Sequence, residues 1–409
     1  MLFLSSRQLF SRVFNNNNNR FIKYLYNVRL KTYSDKKESD KEKSTKMEIA
    51  VLNKFSESLE IERVDFPKIS HSEEVIIDVN YCALNGLDVL LCENLYSYEQ
   101  NLPFIPGYEI AGKLIEVGEK AGKAGYNVGD KVVALNKKRF GGLAERCVAE
   151  MSDVWKISTS IKSVDAVCLL ENYMTALIGL EQFGCISEND MVLVNVGIGG
   201  IGLSAVDIAA NIFKAKVLGV GFSEDRADEI RNRGAFHAFT YKEKKLINEI
   251  KNIAQERDIK NIFEGDSGEN FKKVLNSFMN VYKSKTPSKS ILRDDNFGVV
   301  VQHLSYEGRI IIAGVADVNL KINGKENDNA FVITGVNLRD YKKRKHDFYR
   351  QTGDDVISFF EEGLIKPKPS LVTGFYKVNE AKKFIYDMKA CGKVVIDMKN
   401  KEAENMQAR

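Results

Sequence analysis

A glycine-rich segment between a predicted strand and a predicted helix is the clearest chemical feature of the sequence. Residues 197–202 read Gly-Ile-Gly-Gly-Ile-Gly. They follow 191–196, a mostly apolar segment that predicts a buried strand, and precede 204–213, where apolar residues recur every three or four positions. In such a turn glycines let the backbone approach a pyrophosphate, and the following helix presents free N–H groups to the phosphates. The segment therefore predicts a dinucleotide-binding loop; the alternative is a glycine turn with only a structural role.

The end of the next predicted strand bears on which dinucleotide binds. A site for NAD places a carboxylate about 20 residues after the glycines, where it bonds the ribose 2′-hydroxyl. Gly221 occupies that position, and Ser223 and Arg226 could donate hydrogen bonds to a 2′-phosphate. The two acids that follow Ser223 weaken this inference. We expect NADPH in preference to NADH, and we expect Arg226→Ala to weaken NADPH binding alone.

Two patterns of elements surround the loop. Residues 47–168 carry short strands between glycine-rich turns, typical of a β-barrel-like domain, whereas 171–339 alternates apolar strands with helical stretches, typical of a parallel α/β sheet. Residues 356–398 predict a helix, a proline-containing loop, a second helix and a strand, and 282–296 predict a surface insertion. Predicted strands cover 75–80, 113–117, 131–135, 191–196, 216–220, 261–263, 309–313 and 393–396.

The N-terminal segment differs in charge from the rest of the chain. Residues 1–34 hold six basic and no acidic residues, whereas the whole chain carries only +4. The remainder is mildly acidic and gives no electrostatic reason to expect nucleic-acid binding. A basic, acid-poor start with serines among apolar residues fits a transit peptide; the alternative is an extension without a targeting role. We expect the mitochondrial matrix, with a plastid-type organelle or the cytoplasm as alternatives.

The six cysteines are scattered and form no CxxC pair. This usage indicates a reducing compartment, with the cysteines as small, mostly buried hydrophobic residues. No apolar run is long enough to span a bilayer.

Motifs on both sides of the glycine loop resemble the medium-chain dehydrogenase/reductase superfamily. Asn-Gly-Leu-Asp at 85–88, the segment 102–109, Gly-Gly-Leu-Ala-Glu at 141–145 and Gly-Lys-Val-Val-Ile at 392–396 occur in the family's order and spacing. The match covers about 47–398 and is strongest to the zinc-free quinone oxidoreductases. It implies an α/β fold with a GroES-like β-barrel-type catalytic domain and a Rossmann domain with a doubly wound parallel sheet.

The resemblance also implies a division of the chain. We expect a transit peptide and charged linker at 1–46, a GroES-like catalytic domain at 47–172 and a Rossmann NADP-binding domain at 173–340. A C-terminal segment at 341–400 returns to the catalytic domain, and a tail occupies 401–409.

Zinc-dependent relatives place three protein ligands around a catalytic metal. The corresponding positions resemble Asn85, Tyr108 and about Glu171, of which only Glu171 could bind zinc. The four histidines fall outside these positions. We therefore expect no zinc and no other metal.

The resemblance assigns roles to individual residues. Asn85 and Thr175 match positions at the nicotinamide end, and Tyr241 matches a tyrosine near the adenosine 2′-phosphate. Tyr96 matches a tyrosine near the substrate pocket, with aromatic packing as its alternative; Asn94 stands where the family often has glycine. The expected catalytic residues are Tyr96 and Asn85. The expected cofactor-binding residues are Asn85, Thr175, Gly197, Gly199, Gly200, Ile201, Gly202, Gly221, Ser223, Arg226, Tyr241 and Gly314.

Together these features predict an NADPH-dependent, zinc-independent reductase of a quinone or an activated alkene. A small-molecule electron acceptor is then the partner. The alternatives are a mitochondrial enoyl-thioester reductase and, from another class, an NADPH-binding sensor or scaffold with negligible turnover. The resemblance also implies a homodimer, which we expect to pair through an edge strand near 331–333.

Overall fold

The computed structural model describes residues 45–95, 100–197, 200–240, 253, 259–265, 304–312, 332–387, 389–404 and 406–407. The predicted insertion at 282–296 lies outside these residues. The chain divides into two units, Met1–Met47 with Arg63–Phe66, and Glu48–Glu62 with Pro67–Arg409. In the first unit the N–H of Phe66 donates to the carbonyl oxygen of Thr45 (3.0 Å). The second unit contains two large sheets.

Sixteen strands have been assigned among the described residues. They are β1 (Lys46–Val51), β2 (Glu60–Asp65), β3 (Glu74–Leu84), β4 (Glu109–Val117), β5 (Lys131–Leu135), β6 (Arg146–Glu150), β7 (Val154–Lys156), β8 (Met191–Asn195), β9 (Lys216–Gly221), β10 (His237–Thr240), β11 (Ile259–Glu264), β12 (Leu304–Ile312), β13 (Val332–Gly335), β14 (Pro369–Gly374), β15 (Lys393–Asp397) and β16 (Met406–Gln407).

The α-helices of the described residues are short, except for one near the C-terminus. They are α1 (Gly86–Cys92), α2 (Glu119–Lys123), α3 (Ser163–Ala166), α4 (Thr175–Ile178), α5 (Gly200–Asp207), α6 (Glu224–Asn232), α7 (Leu338–Arg344), α8 (His346–Glu361) and α9 (Val378–Tyr386). Single π-helical turns cover Leu170–Met174, Gly179–Gly184 and Ile208–Ile212, and 3-10 turns cover Met151–Asp153 and Phe375–Lys377. Within the described ranges no helix is long and apolar enough to cross a membrane.

The six-stranded sheet is parallel throughout, in the order β10-β9-β8-β11-β12-β13. Its central strand β8 is buried at every residue, because a parallel sheet is covered on both faces. The order reverses between β8 and β11, the crevice where doubly wound sheets bind ligands at the carboxyl ends of their strands. This is the Rossmann-type arrangement that the sequence predicts, and β13 lies at its edge.

The other large sheet has the order β16-β14-β15-β3-β4-β5-β7, and β6 also pairs with β3. All its pairings are antiparallel except that of β14 with β15. Val394–Asp397 of β15 pair with Leu84–Tyr81 of β3, so the last strands of the chain complete the sheet of the first ones. The fold is α/β, with a GroES-like domain and a Rossmann-type domain.

Two sequence predictions of local structure are wrong. The sequence predicts a loop around Pro367 and Pro369, but Pro369 begins strand β14. Proline is tolerated as the first residue of a strand, because its missing N–H costs no hydrogen bond between strands there. The helix expected from about residue 356 begins at His346, ten residues earlier. Its first turns contain few apolar residues, so their periodicity does not reveal the helix, although Tyr349 and Thr352 are buried.

Candidate active site

The glycine loop has the strand–turn–helix context that the sequence predicts. Strand β8 ends at Asn195, Gly197 has a φ of +64°, and α5 begins at Gly200. A Cβ on Gly202 would lie 2.3 Å from the carbonyl oxygen of Val196, so only glycine lets the helix pack this closely against the strand. The free N–H groups at the start of α5 and this side-chain-free turn fit a bound pyrophosphate. Gly199 lies outside the described residues, as do Tyr241 and Gly314.

The residues after β9 lie where the sequence places the ribose end of the cofactor. Gly221 is the last residue of β9, and the exposed Ser223 stands just before α6 without bonding to its first turn. Arg226 is buried, and its guanidinium donates to the carbonyl oxygens of Gly197 and Ala390. Its role at a 2′-phosphate stays a prediction. The structure adds a second role, because Arg226 ties the glycine loop to the segment that precedes β15.

A buried polar cluster brings together the start of α1, the start of β4 and the start of β15. Lys393 donates from Nζ to Asn85 Oδ1 (2.6 Å) and to Glu109 Oε2 (2.7 Å), and Asn85 Nδ2 donates to the same carboxylate oxygen (3.1 Å). The side chains of Lys393 and Glu109 are 3% and 1% exposed. Because both ends of the Asn85 amide are bonded, its orientation is determined before any ligand binds.

Glu171 connects this cluster to Thr175. The N–H of Glu171 donates to Glu109 Oε1 (2.9 Å), and the hydroxyl of Thr175 donates to the carbonyl oxygen of Glu171 (2.6 Å). Asn85 and Thr175, which the resemblance assigns to the nicotinamide end, therefore belong to one hydrogen-bonded network through two glutamates.

Of the three positions that match zinc ligands in metal-dependent relatives, Glu171 and Tyr108 lie beside Lys137, whereas Asn85 bonds Lys393. Lys137 Nζ is 2.6 Å from Glu171 Oε1 and 5.1 Å from the ring centre of Tyr108. Burial raises the pKa of the Tyr108 hydroxyl well above its usual value. No group of three or more His, Cys, Asp or Glu side chains that could hold a metal forms among the described residues, and the absence of zinc stays a prediction.

Sequence reasoning missed Lys137 and Lys393 as parts of the site. Lys393 lies within the family motif at 392–396, so its position was visible, but its partner Glu109 is 284 residues away. Lys137 is the first of three consecutive basic residues, a pattern typical of solvated surface charge. Only the fold reveals that its neighbour Lys138 is exposed while Lys137 is not.

A cavity of about 830 Å³ opens beside Lys137. Its wall combines apolar side chains with cations; among them are Leu135, Phe140, Leu338, Arg339 and Tyr349. Pockets of this volume and mixed lining accept small molecules. Arg339 Nη2 donates to the carbonyl oxygen of Lys137 (3.0 Å), which fixes the backbone at the cavity's edge.

Tyr96, one of the two expected catalytic residues, lies outside the described residues. Asn94, two residues earlier, has a φ of +53°. This is the left-handed conformation that glycine adopts freely and that asparagine tolerates better than most residues. The geometry therefore explains how asparagine can stand where the resembled family often has glycine.

Asp88 supports the turn that carries Asn85. Its carboxyl accepts hydrogen bonds from the N–H groups of Asn85 (2.9 Å) and Gly107 (2.8 Å). Burial raises the pKa of Asp88, the two hydrogen bonds lower it, and burial outweighs them, so that the pKa is about 7. Asp88 thus joins α1 to the segment before β4 and has a structural role.

Comparisons with known proteins agree with this architecture. Residues 71–188 match the alcohol dehydrogenase GroES-like domain family. The chain is 30% identical to a quinone oxidoreductase-like protein 2 homolog of Nematostella vectensis over 334 residues, which are 80% of this chain and 82% of that protein. It is 26% identical to human quinone oxidoreductase over 330 residues, 80% of this chain and 90% of that protein.

A solved structure of a quinone oxidoreductase from Pseudomonas syringae has a TM-score of 0.70 at 18% identity. The superposition covers 86% of this chain and 100% of the other chain. At this level of identity the likeness concerns the fold alone.

Proposed function

Because the chain belongs to the medium-chain dehydrogenase/reductase superfamily of oxidoreductases, we propose that it transfers hydride from NADPH to a quinone or an activated alkene, without zinc. The observation that carries this proposal is that Glu171, one of the three positions that match zinc ligands, pairs with the ammonium of Lys137. Asparagine and tyrosine hold the other two positions, and a zinc site needs three protein ligands. An ammonium group takes the place of the metal's charge there.

The chain's residues would hold the cofactor along the crevice at the carboxyl ends of β8 and β9. The start of α5 binds the pyrophosphate, Ser223 and the missing acid at Gly221 favour a 2′-phosphate, and Asn85 and Thr175 orient the nicotinamide end. When bound, NADPH supplies the hydride. The names of the curated relatives, both quinone oxidoreductases or similar to them, support a quinone as acceptor.

The hydrogen-bonded cluster of Lys393, Glu109 and Asn85 would contribute to catalysis chiefly by positioning the nicotinamide end. Lys393 and Glu109 hold Asn85 in one orientation, so no reorganisation is needed when a ligand arrives. The apolar part of the cavity wall around Phe140 and Leu338 offers the acceptor a surface to pack against.

The test uses the full chain. NADPH and NADH binding are measured by fluorescence, and oxidation of NADPH is then followed with quinones, enones and a short enoyl thioester, with and without a chelator. We expect tighter NADPH binding, and turnover of a quinone or enone that the chelator does not reduce. Turnover of the thioester alone would favour an enoyl-thioester reductase, and NADPH binding without any turnover would favour a sensor or scaffold.

We also propose that residues 1–46 direct the chain to the mitochondrial matrix, since 1–34 are basic and lack acids. A fluorescent reporter fused to residues 1–46 should coincide with a mitochondrial marker. A diffuse cytosolic signal would contradict import, and a plastid signal would identify the other organelle.

A homodimer is the assembly that we propose, through β13 at the edge of the parallel sheet. An edge strand offers unpaired backbone groups to a second copy. Light scattering should give twice the chain's 46.2 kDa, and a monomer mass at all concentrations would contradict pairing.

A further inference from the structure

Lys137 is held in place more firmly than a surface lysine. It follows β5 by two residues, its Nζ bonds Glu171 Oε1 at 2.6 Å, and the two side chains are 15% and 11% exposed. Its ammonium lies 5.1 Å from the ring centre of Tyr108, a cation–π contact. Lys138, the next residue, pairs with Glu150 and is 66% exposed.

The Lys137 side chain also reaches two functional regions. On one side it bonds Glu171, which connects to Thr175 and through Glu109 to Asn85. On the other side it lines the cavity of about 830 Å³. An acceptor in this cavity would present its carbonyl oxygen to the Lys137 ammonium, which bonds the network that contains Asn85 and Thr175.

The second carboxylate oxygen of Glu171 adds an independent observation. Oε2 is buried and has no hydrogen-bond partner among the described residues. A buried acceptor left unpaired costs free energy, so such an atom marks a place where a ligand's donor can bind. Because the other oxygen of this carboxylate bonds Lys137 Nζ, a hydroxyl formed beside Nζ would be such a donor close to the same carboxylate.

We propose that Lys137 is a catalytic residue, whose Nζ donates a proton to the acceptor's carbonyl oxygen as that oxygen gains negative charge. This inference rests on the proposed function and deepens it. If the acceptor gains hydride at the far oxygen of a quinone or at the β-carbon of an enone, the conjugated π electrons shift and the carbonyl electron pair moves to the oxygen beside Nζ. The N–H bond of Lys137 then breaks as the O–H bond forms, giving a hydroquinone or an enol and a neutral amine. A proton from water, entering through the cavity, restores the ammonium.

The chemistry of the two groups suits this transfer. An ammonium group carries only donors, and a donor aimed at an oxygen that gains negative charge can pass its proton to it, which is general acid catalysis. Lys137 bonds Glu171, and Arg339 from α7 lies at the cavity's edge. The other charged groups that line the cavity are Asp153, which pairs with Lys342 (2.6 Å), Glu150, which pairs with Lys138 and Lys342, and Lys343.

An equilibrium measurement tests the position of the ammonium without any cofactor. Para-nitrophenol is titrated by absorbance in the presence of the full-length protein, because its ionised form mimics the acceptor's developing oxyanion. A nearby cation favours the ionised form, so we expect the midpoint with the wild type to lie about one pH unit below that with Lys137→Met. Lys137→Arg should keep the shift, and Lys113→Met, an exposed lysine on β4, should not change it.

Equal titration midpoints of para-nitrophenol with the wild type and with Lys137→Met would overturn the proposal. This result would mean that the phenol binds away from Nζ or does not bind at all, and either outcome counts against the proposal. This measurement needs no turnover, so its result stands apart from the proposed function. A wild type that reduces no acceptor would overturn both the function and the catalytic role.

Kinetics then separate a proton donor from a fixed positive charge. We expect Lys137→Met to lower kcat by about 10²–10⁴-fold and to leave the Kd of NADPH within twofold. Lys137→Arg should stay impaired in kcat, because a guanidinium does not release a proton at accessible pH. Full activity in Lys137→Met, or full rescue by arginine, would refute proton donation.

A paired variant addresses the possibility that Lys137→Met fails to fold because Glu171 loses its partner. Lys137→Met with Glu171→Gln removes both charges and leaves no unpaired carboxylate. Its melting temperature should approach that of the wild type while kcat stays low. Recovery of kcat in this folded double variant would contradict the role of Lys137.

Discussion

Lys393→Met is expected to lower the free energy of unfolding by about 3–5 kcal/mol. The substitution removes the hydrogen bonds from Nζ to Asn85 Oδ1 and Glu109 Oε2, both inside the protein. Hydrogen bonds to charged groups contribute about 1.5–3 kcal/mol each, so two give about 3–6 kcal/mol. Breaking a buried ion pair from one side costs about 3–5 kcal/mol, because the remaining charge stays buried. Methionine has a similar length, so little of the loss comes from a cavity.

Urea unfolding followed by tryptophan fluorescence measures this change. Trp155 is the chain's single tryptophan, is fully buried, and lies on β7 in the same sheet as Glu109 and Lys393. Adding Glu109→Gln removes the unpaired charge and should recover most of the lost stability. In the exposed pair formed by Lys123 and Glu119, Lys123→Met should change the free energy of unfolding by less than about 1 kcal/mol.

A loss in Lys393→Met no larger than that in Lys123→Met would refute the reasoning. The buried pair would then contribute no more than a solvated one. A double variant as unstable as Lys393→Met alone would also contradict it, because the cost is assigned to the unpaired carboxylate.

Three further predictions follow from the structure. Gly202→Ala should destabilise the protein by about 1–3 kcal/mol and abolish NADPH binding in a titration. Gly122→Ala should do neither, because its Cβ would meet only Val117 Cγ1, at 4.0 Å, an ordinary contact. Burial raises the pKa of Glu74, but hydrogen bonds, chiefly from Ser70, outweigh it and lower the pKa to about 2. The stability that this carboxylate contributes is therefore complete above about pH 4.5 and is lost as the pH falls to about 2. Glu74→Gln should lack that acid-dependent loss in thermal melts; a parallel pH curve would contradict it. Arg226→Ala should weaken NADPH binding by at least about tenfold and leave NADH binding nearly unchanged, as the loss of a charge-assisted hydrogen bond to a 2′-phosphate requires. Equal weakening of both cofactors would limit Arg226 to its bonds with the two backbone carbonyls.

The parallel sheet and its glycine loop could be predicted because their signals are local. Residues 191–194 are four consecutive apolar residues, and the glycine-rich segment 197–202 follows closely, so a short window contains strand, turn and helix start. All eight predicted strands overlap strands of the structure, since each is an apolar or alternating run between turn residues.

The buried cations could not be predicted because their partners are distant in sequence. Lys393 meets Glu109 across 284 residues, and Lys137 meets Glu171 across 34. The sequence pattern around a lysine is the same whether its side chain faces water or a buried carboxylate. The role of Arg226 was missed for the same reason, since Ala390 is 164 residues away.

The most direct test of the central claim is transfer of a label from the cofactor to the acceptor. Full-length protein treated with a chelator is given an enone and NADPH that carries deuterium at C4 of the nicotinamide, on either face in separate reactions. Mass spectrometry should find one deuterium on the reduced carbon when the label is on one face of the nicotinamide and none when it is on the other. The rate with the chelator should equal the rate without it. A reduced product without deuterium from either face, or a reaction that stops when the chelator is added, would contradict zinc-independent hydride transfer by this protein.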